Sequence, residues 1–112
     1  MADASLHLDT KEFEKYLKDH KRELILIDFY ADWCPHCRAV GPVLENLARL
    51  YKKDGLTVIK IDTDKEEKLA ADWKVEYLPT MILQRDGKEL ERESGSKSPE
   101  FLDAMVKKHL KE

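Results

Sequence analysis

The sequence predicts an α/β fold in which a central mixed β-sheet carries helices on both faces. Three features support this. Leu24 to Tyr30 and Leu56 to Ile61 are short, nearly continuous apolar runs, partly β-branched, as strands covered on both faces read. Segments with apolar residues at threes and fours precede, separate and follow them, so strands and helices alternate. Two further short strands about Asp86-Gly87, a dipeptide typical of tight hairpins, add an antiparallel pair before a last helix.

In chain order, Thr10 can cap a first helix from Lys11 to about His20, with Phe13, Tyr16 and Leu17 sharing a face. The run Leu24 to Tyr30 follows as a buried strand, and the lone acid in it, Asp28, is conspicuous. Cys34 to Tyr51 has helical periodicity through Val40, Val43, Leu44, Leu47 and Leu50, with Pro42 expected to kink it. A turn at Asp54-Gly55 leads into a second buried strand, Leu56 to Asp62, and then a helix near Lys65 to Asp72. The first strand-helix-strand unit should be parallel and right-handed. Thr80 to Gln84 and Glu89 to Glu93 form the hairpin strands. Ser98-Pro99-Glu100 opens the last helix, with Phe101, Leu102, Met105, Val106 and Leu110 on its apolar face.

With 112 residues, 42% hydrophobic and 38% charged, the chain suits one packed core and is short for two, so residues 1–112 are expected to form a single domain. No apolar run approaches the roughly 18 residues that span a bilayer, which argues against a membrane protein. The 20 basic and 23 acidic residues are scattered, giving a net charge of -3 without a basic stripe, which argues against a nucleic-acid partner. The start, Met1-Ala2-Asp3-Ala4-Ser5, has no leader pattern, so a cytoplasmic protein is expected. Removal of a signal would instead make it periplasmic or secreted. No cofactor-binding motif is visible, and a monomer is expected.

The 2 cysteines, Cys34 and Cys37, stand two residues apart and cannot staple distant parts of a fold, so they point to redox chemistry or metal binding. Residues three apart on a helix have Cβ atoms about 5–6 Å apart, and a slightly distorted first turn reaches the roughly 3.8 Å a disulfide needs. Free amides at a helix start favour an anion, so Cys34 is expected to ionise more readily than a free thiol and to act as nucleophile. Cys37, one turn inside, is suited to resolving the mixed disulfide. Pro35 fits the first helical position, and His36 between the thiols would stabilise a thiolate and tune the potential. Zinc is the competing assignment. It usually takes four ligands, and His7, His20 and His109 show no ligand spacing, so no metal site is expected.

The segment Asp28-Phe29-Tyr30-Ala31-Asp32-Trp33-Cys34-Pro35-His36-Cys37-Arg38, with Leu78-Pro79-Thr80, resembles the thioredoxin family, and the resemblance runs from about the first helix to the last. It implies a thioredoxin fold and a thiol:disulfide oxidoreductase that cycles between dithiol and disulfide. Cys34 is then the attacking cysteine and Cys37 the resolving one. Asp28 is the buried acid that exchanges protons with Cys37 through water, and Lys60 is its neighbour. Pro79 is a cis-proline beside the disulfide, and Trp33, Tyr77, Leu78 and Gly95 belong to the partner-binding surface. Protein disulfides are the implied substrates, and a protein resembling thioredoxin reductase is the implied electron donor.

Departures from the pattern bear on direction and specificity. Thioredoxins usually carry Gly-Pro between the cysteines, whereas Pro35-His36 is similar to the dipeptide of the bacterial periplasmic disulfide oxidase. That oxidase has a large helical insertion, for which this chain has no room. Tyr77 is bulkier than the small residue common near that place, and Ser94 and Ser96 make the Gly95 loop polar, so partner preference is expected to differ. A protein-disulfide reductase leads. A disulfide donor or isomerase and a redox-inactive binding module are the alternatives, while Trp33 and Asp28 fit thioredoxins better than glutaredoxins.

Overall fold

The computed structural model describes residues 3–111, so Met1 and Ala2 of the segment read for a leader lie outside the described residues. The elements run β1 (Leu6–His7), α1 (Thr10–Asp19), β2 (Leu24–Tyr30), α2 (Pro35–Leu50), a 3-10 turn (Lys52–Asp54), β3 (Leu56–Asp62), α3 (Glu67–Asp72), β4 (Thr80–Arg85), β5 (Lys88–Ser94) and α4 (Pro99–Leu110). The sheet order is β1-β3-β2-β4-β5. Pairing is parallel from β1 to β2 and antiparallel for β2 with β4 and β4 with β5. The mixed sheet expected from the sequence is present, with β2 at its centre.

Strand periodicity divides the core into two layers. Leu24, Leu26, Val58, Met81 and Leu83 pack with Leu44 and Leu47 of α2 and Leu102 and Val106 of α4. Ile25, Ile27, Phe29, Ile59, Ile61 and Ile82 pack on the other face with Phe13 of α1 and Leu69 of α3. Central β2 is therefore covered on both sides, which is why its sequence is apolar throughout. Asp28 and Tyr30 share the parity of Leu24 and Leu26, so both point to the α2 side of the sheet.

Local signals fix the element ends. Asp9, not Thr10, caps α1, in a reciprocal capping box with Glu12. Cys34 caps α2 with Pro35 at its first turn, and Ser98 caps α4 by accepting from Phe101 N at 3.1 Å. Asp86 and Gly87 both have positive φ, 56° and 74°, as a type I′ hairpin turn requires.

Some expectations are corrected. α3 starts at Glu67, two residues later than expected, and the two-residue β1 is an element the sequence does not announce. Leu50 is 64% exposed because Tyr51, one residue on, takes the core place and sends its hydroxyl to Asp103 of α4, 2.5 Å away. Phe101 is likewise 44% exposed, its neighbour Leu102 taking the core place. The buried stripe of α4 is Leu102, Met105, Val106 and His109, and Phe101 lies about 100° around the helix from it, under the Lys97 ammonium.

Candidate active site

The central strand delivers its carboxyl end directly to the cysteine pair. After Tyr30 the chain passes through Ala31, Asp32 and Trp33, and Cys34 N donates to Ala31 O at 3.2 Å, folding the loop back so that α2 can begin. Both cysteines are free thiols, each 4% exposed, in a small cluster with Ala31 against which Tyr30 and Leu78 pack. Cys37 N donates to Cys34 Sγ at 3.2 Å, so an otherwise orphaned helix-start amide faces the first sulfur and stabilises negative charge developing there. Burial pushes the Cys37 thiol well above its ordinary range, and its hydrogen bond with Cys34 and the charges of Cys34 and Asp28 push the same way. The second thiol is thus held protonated beside the first.

Asp28 lies behind this pair. It is fully buried, and among the described residues neither carboxylate oxygen has a hydrogen-bond partner. The β2–β3 register sets Lys60 directly opposite, with Nζ 3.9 Å from Oδ2. Burial pushes the Asp28 carboxyl up to about 7, with Lys60 restraining the rise. Lys60 is not the free surface lysine its charge alone would imply: its side chain is 18% exposed and its ammonium sits 4.7 Å from the centre of the Tyr30 ring. A cleft of about 490 Å³ opens beside these groups and is lined by Tyr30, Cys37, Gly41 and Lys60 among others.

Other residues from the sequence reading stand around the thiols or on the surface about them. The Leu78–Pro79 bond is cis, Pro79 is buried, and Leu78 packs on the cysteine cluster. Thr80 Oγ1 donates to Tyr77 O at 2.6 Å, and Gly95 N donates to Pro79 O at 2.8 Å, so the Tyr77 and Gly95 loops are tied together. Gly95 has φ 83°, a conformation that favours glycine. Trp33 and Tyr77 are 64% and 67% exposed, and Trp33 Nε1 donates to Asp64 Oδ2 at 2.9 Å. Pro35 and His36 are exposed at the helix start. Among the described residues no three His, Cys, Asp or Glu side chains gather as a metal would require. The sequence does not point to Asp64, which nothing but tertiary placement marks, and gives Tyr30 no role beyond ending a strand within the segment Asp28 to Arg38.

A thiol one helical turn from another, the first served by a helix-start amide and the second kept protonated, is an arrangement for dithiol–disulfide exchange, and a thiol:disulfide oxidoreductase is the class it defines. The Thioredoxin family model matches residues 4–108, and the chain belongs to the thioredoxin family. It is 43% identical over 86 residues to the thioredoxin of Chlamydia pneumoniae, covering 77% of this chain and 82% of that one. It is 34% identical over 99 residues to thioredoxin H-type 1 of Nicotiana tabacum, covering 87% and 77%. Among solved structures, Fasciola hepatica thioredoxin matches with a TM-score of 0.82 and 32% identity over 91% of this chain and 97% of that one. Family members act on protein disulfides and are served by reductase partners, and this chain is a thiol:disulfide oxidoreductase of that kind.

Proposed function

We propose that the chain works in the reducing direction, as a protein-disulfide reductase, and that Asp28 manages the proton of the resolving thiol. In the reduced protein the Cys34 thiolate attacks one sulfur of a substrate disulfide. A Cys34–substrate disulfide forms, the substrate S–S bond breaks, and the other substrate sulfur leaves as a thiolate that takes a proton. Cys37 then gives its proton to the Asp28 carboxylate, directly or through water, and its sulfur attacks Cys34 Sγ. The mixed disulfide breaks, the second substrate thiolate leaves, and the protein is left with a Cys34–Cys37 disulfide. Two electrons have passed to the substrate, and a reductase returns two to the protein.

The observation that carries this reading is the pairing of a raised Cys37 thiol with a fully buried carboxyl whose oxygens have no hydrogen-bond partner among the described residues. A buried acid kept without donors is costly to stability, which fits a group retained for proton exchange. Lys60 serves as its counter-charge, and Pro35 and His36 tune the couple. The exposed Trp33 and Tyr77, with Leu78, Pro79 and the Gly95 loop, offer the surface on which a substrate segment rests. The reading takes residues 1–112 as one domain acting as a monomer in a reducing compartment such as the cytoplasm.

Dithiothreitol-driven reduction of insulin should be lost in Cys34→Ser, and full activity in that variant would remove the reading. Direction is tested by the potential of the Cys34–Cys37 couple, followed by Trp33 fluorescence in a redox buffer. A value near the roughly -270 mV of thioredoxin fits a reductase, whereas one between about -180 and -120 mV would make the protein an oxidant or isomerase.

A further inference from the structure

Lys60 is a long, flexible cation that ordinarily keeps its head in water, yet here the head is fixed beside a buried acid. Three groups hold it. Asp28 Oδ2 lies 3.9 Å away, and the Tyr30 ring centre lies 4.7 Å away, within the roughly 6 Å over which a ring face attracts a cation. The third is Gly41 in the interior of α2, where a Cβ would stand 3.7 Å from Nζ, so the ammonium rests against the helix where no side chain intervenes. Asp28 and Tyr30 are two residues apart on one face of β2, and Lys60 is the register partner of Asp28. The sheet therefore presents acid, cation and ring as one row.

Tyr30 and Lys60 also stand where two clefts meet. The first, which holds Cys37, carries Arg38, Glu45 and Arg49 of α2 and Asp3 and His7 of the amino-terminal segment. There Arg49 is 3.4 Å from Glu45, and His7 is 3.0 Å from Asp3. Asp32 lines it as well, while Arg38 donates to the Asp32 carbonyl. The second cleft, about 270 Å³, is lined by Asp9, Asp62, Lys65 and Glu66 in addition to His7, Tyr30 and Lys60. Asp9, Asp62 and Glu66 place rival carboxylates along this cleft, Glu66 already accepting from Thr10 N and Oγ1 at 2.9 Å.

We propose that Tyr30 is a positioning residue whose ring holds the Lys60 ammonium against Asp28 and away from Asp62 and Glu66, setting the pH at which Asp28 exchanges its proton. The proposal rests on the reading of Asp28 as proton partner of Cys37. Without the ring, Lys60 spends time at the outer carboxylates and Asp28 loses part of the counter-charge that Lys60 supplies, so its carboxyl becomes harder to ionise. The hydroxyl of Tyr30 has no part in this, and phenylalanine should substitute for it.

The test follows the Asp28 side-chain carboxyl by carbon-13 NMR titration of the reduced protein. Tyr30→Leu, and Tyr30→Thr as a second ring-free variant, should raise the Asp28 midpoint by about half a pH unit. Tyr30→Phe should leave it near the parent value, and the ring-free shift should vanish when Lys60→Met is already present. Insulin reduction by Asp28→Asn reports separately on the proton-partner reading: an unchanged rate there would sink that reading while the titration still answered for Tyr30. An unmoved midpoint in both ring-free variants, a Tyr30→Phe shift equal to theirs, or an equal shift in the Lys60→Met background would overturn the proposal.

Discussion

One acid stands just before β2 and another near its carboxyl end, and the structure treats them in opposite ways. Glu23, just before the strand, is half-buried, and that burial alone would raise its pKa. Hydrogen bonds from Thr57 at 2.6 Å, Tyr16 at 2.7 Å and His20 at 2.9 Å outweigh it and hold the carboxyl below its usual value. Asp28, five residues on, has no hydrogen-bond donor among the described residues and a lysine 3.9 Å away, and burial pushes it up to about 7. Depth and donor supply act together: the deeper acid lacks donors and is raised, whereas the shallower one is donated to by three groups that outweigh its partial burial. The well-donated end is a structural clasp between α1, β2 and β3, whereas the starved end lies behind the thiols.

The largest effect should come from relieving the starved end. The folded pKa of Asp28 exceeds its unfolded value of 3.8, so the native state holds this proton more tightly. The contribution to stability is complete below about pH 4 and is lost as pH rises through about 7. Moving the carboxyl from 3.8 to about 7 on folding corresponds to about 4 kcal/mol, and an asparagine amide, itself buried without partners, should recover about half of that. Asp28→Asn is therefore expected to be about 2 kcal/mol more stable than the parent at pH 8 and no more stable at pH 4, measured by urea unfolding. Its insulin reduction should be slower. Equal stability at pH 8 would break the contrast between the two acids.

Glu23→Gln should go the other way. Loss of the charge weakens the hydroxyl and imidazole hydrogen bonds and should cost about 1.5 kcal/mol at pH 7. Because the folded pKa of Glu23 is depressed, its contribution is present above the unfolded value of 4.5 and is lost as pH falls through the folded one. The difference from the parent should therefore shrink below pH 4.5, and a difference that persisted at pH 3 would indicate a packing effect.

Lys60→Met sharpens the comparison with a smaller change. It removes the cation beside Asp28, so the carboxyl rises further and stability at pH 8 should fall by about 1 kcal/mol. At pH 5, where Asp28 is protonated with or without Lys60, denaturant midpoints should agree.

How far the two ends can be read from sequence also differs. Asp28 stands out because every neighbour in β2 is apolar, so a strand covered on both faces exposes the anomaly without any structure. Glu23 looks like an ordinary polar residue before a strand, since two of its donors, Tyr16 of α1 and Thr57 of β3, are brought to it by the fold and not by a local pattern. Cys34, Pro35 and Cys37 are legible from helix-start chemistry alone. Lys60 enters only through the family resemblance, because β2–β3 register is a tertiary property. Leu50 and Phe101 mislead because spacing by threes and fours also admits residues about 100° off the buried stripe. The two residues of β1 are too few to show a period, and Tyr30 gives no sign of its lysine.

One carbon-13 NMR titration of the side-chain carboxyls in the reduced protein reads both ends of the strand at once. Asp28 should titrate near pH 7 and Glu23 below 4.5. An Asp28 midpoint near 4, like that of a solvated aspartate, would contradict the account and leave Cys37 without a proton acceptor suited to neutral pH.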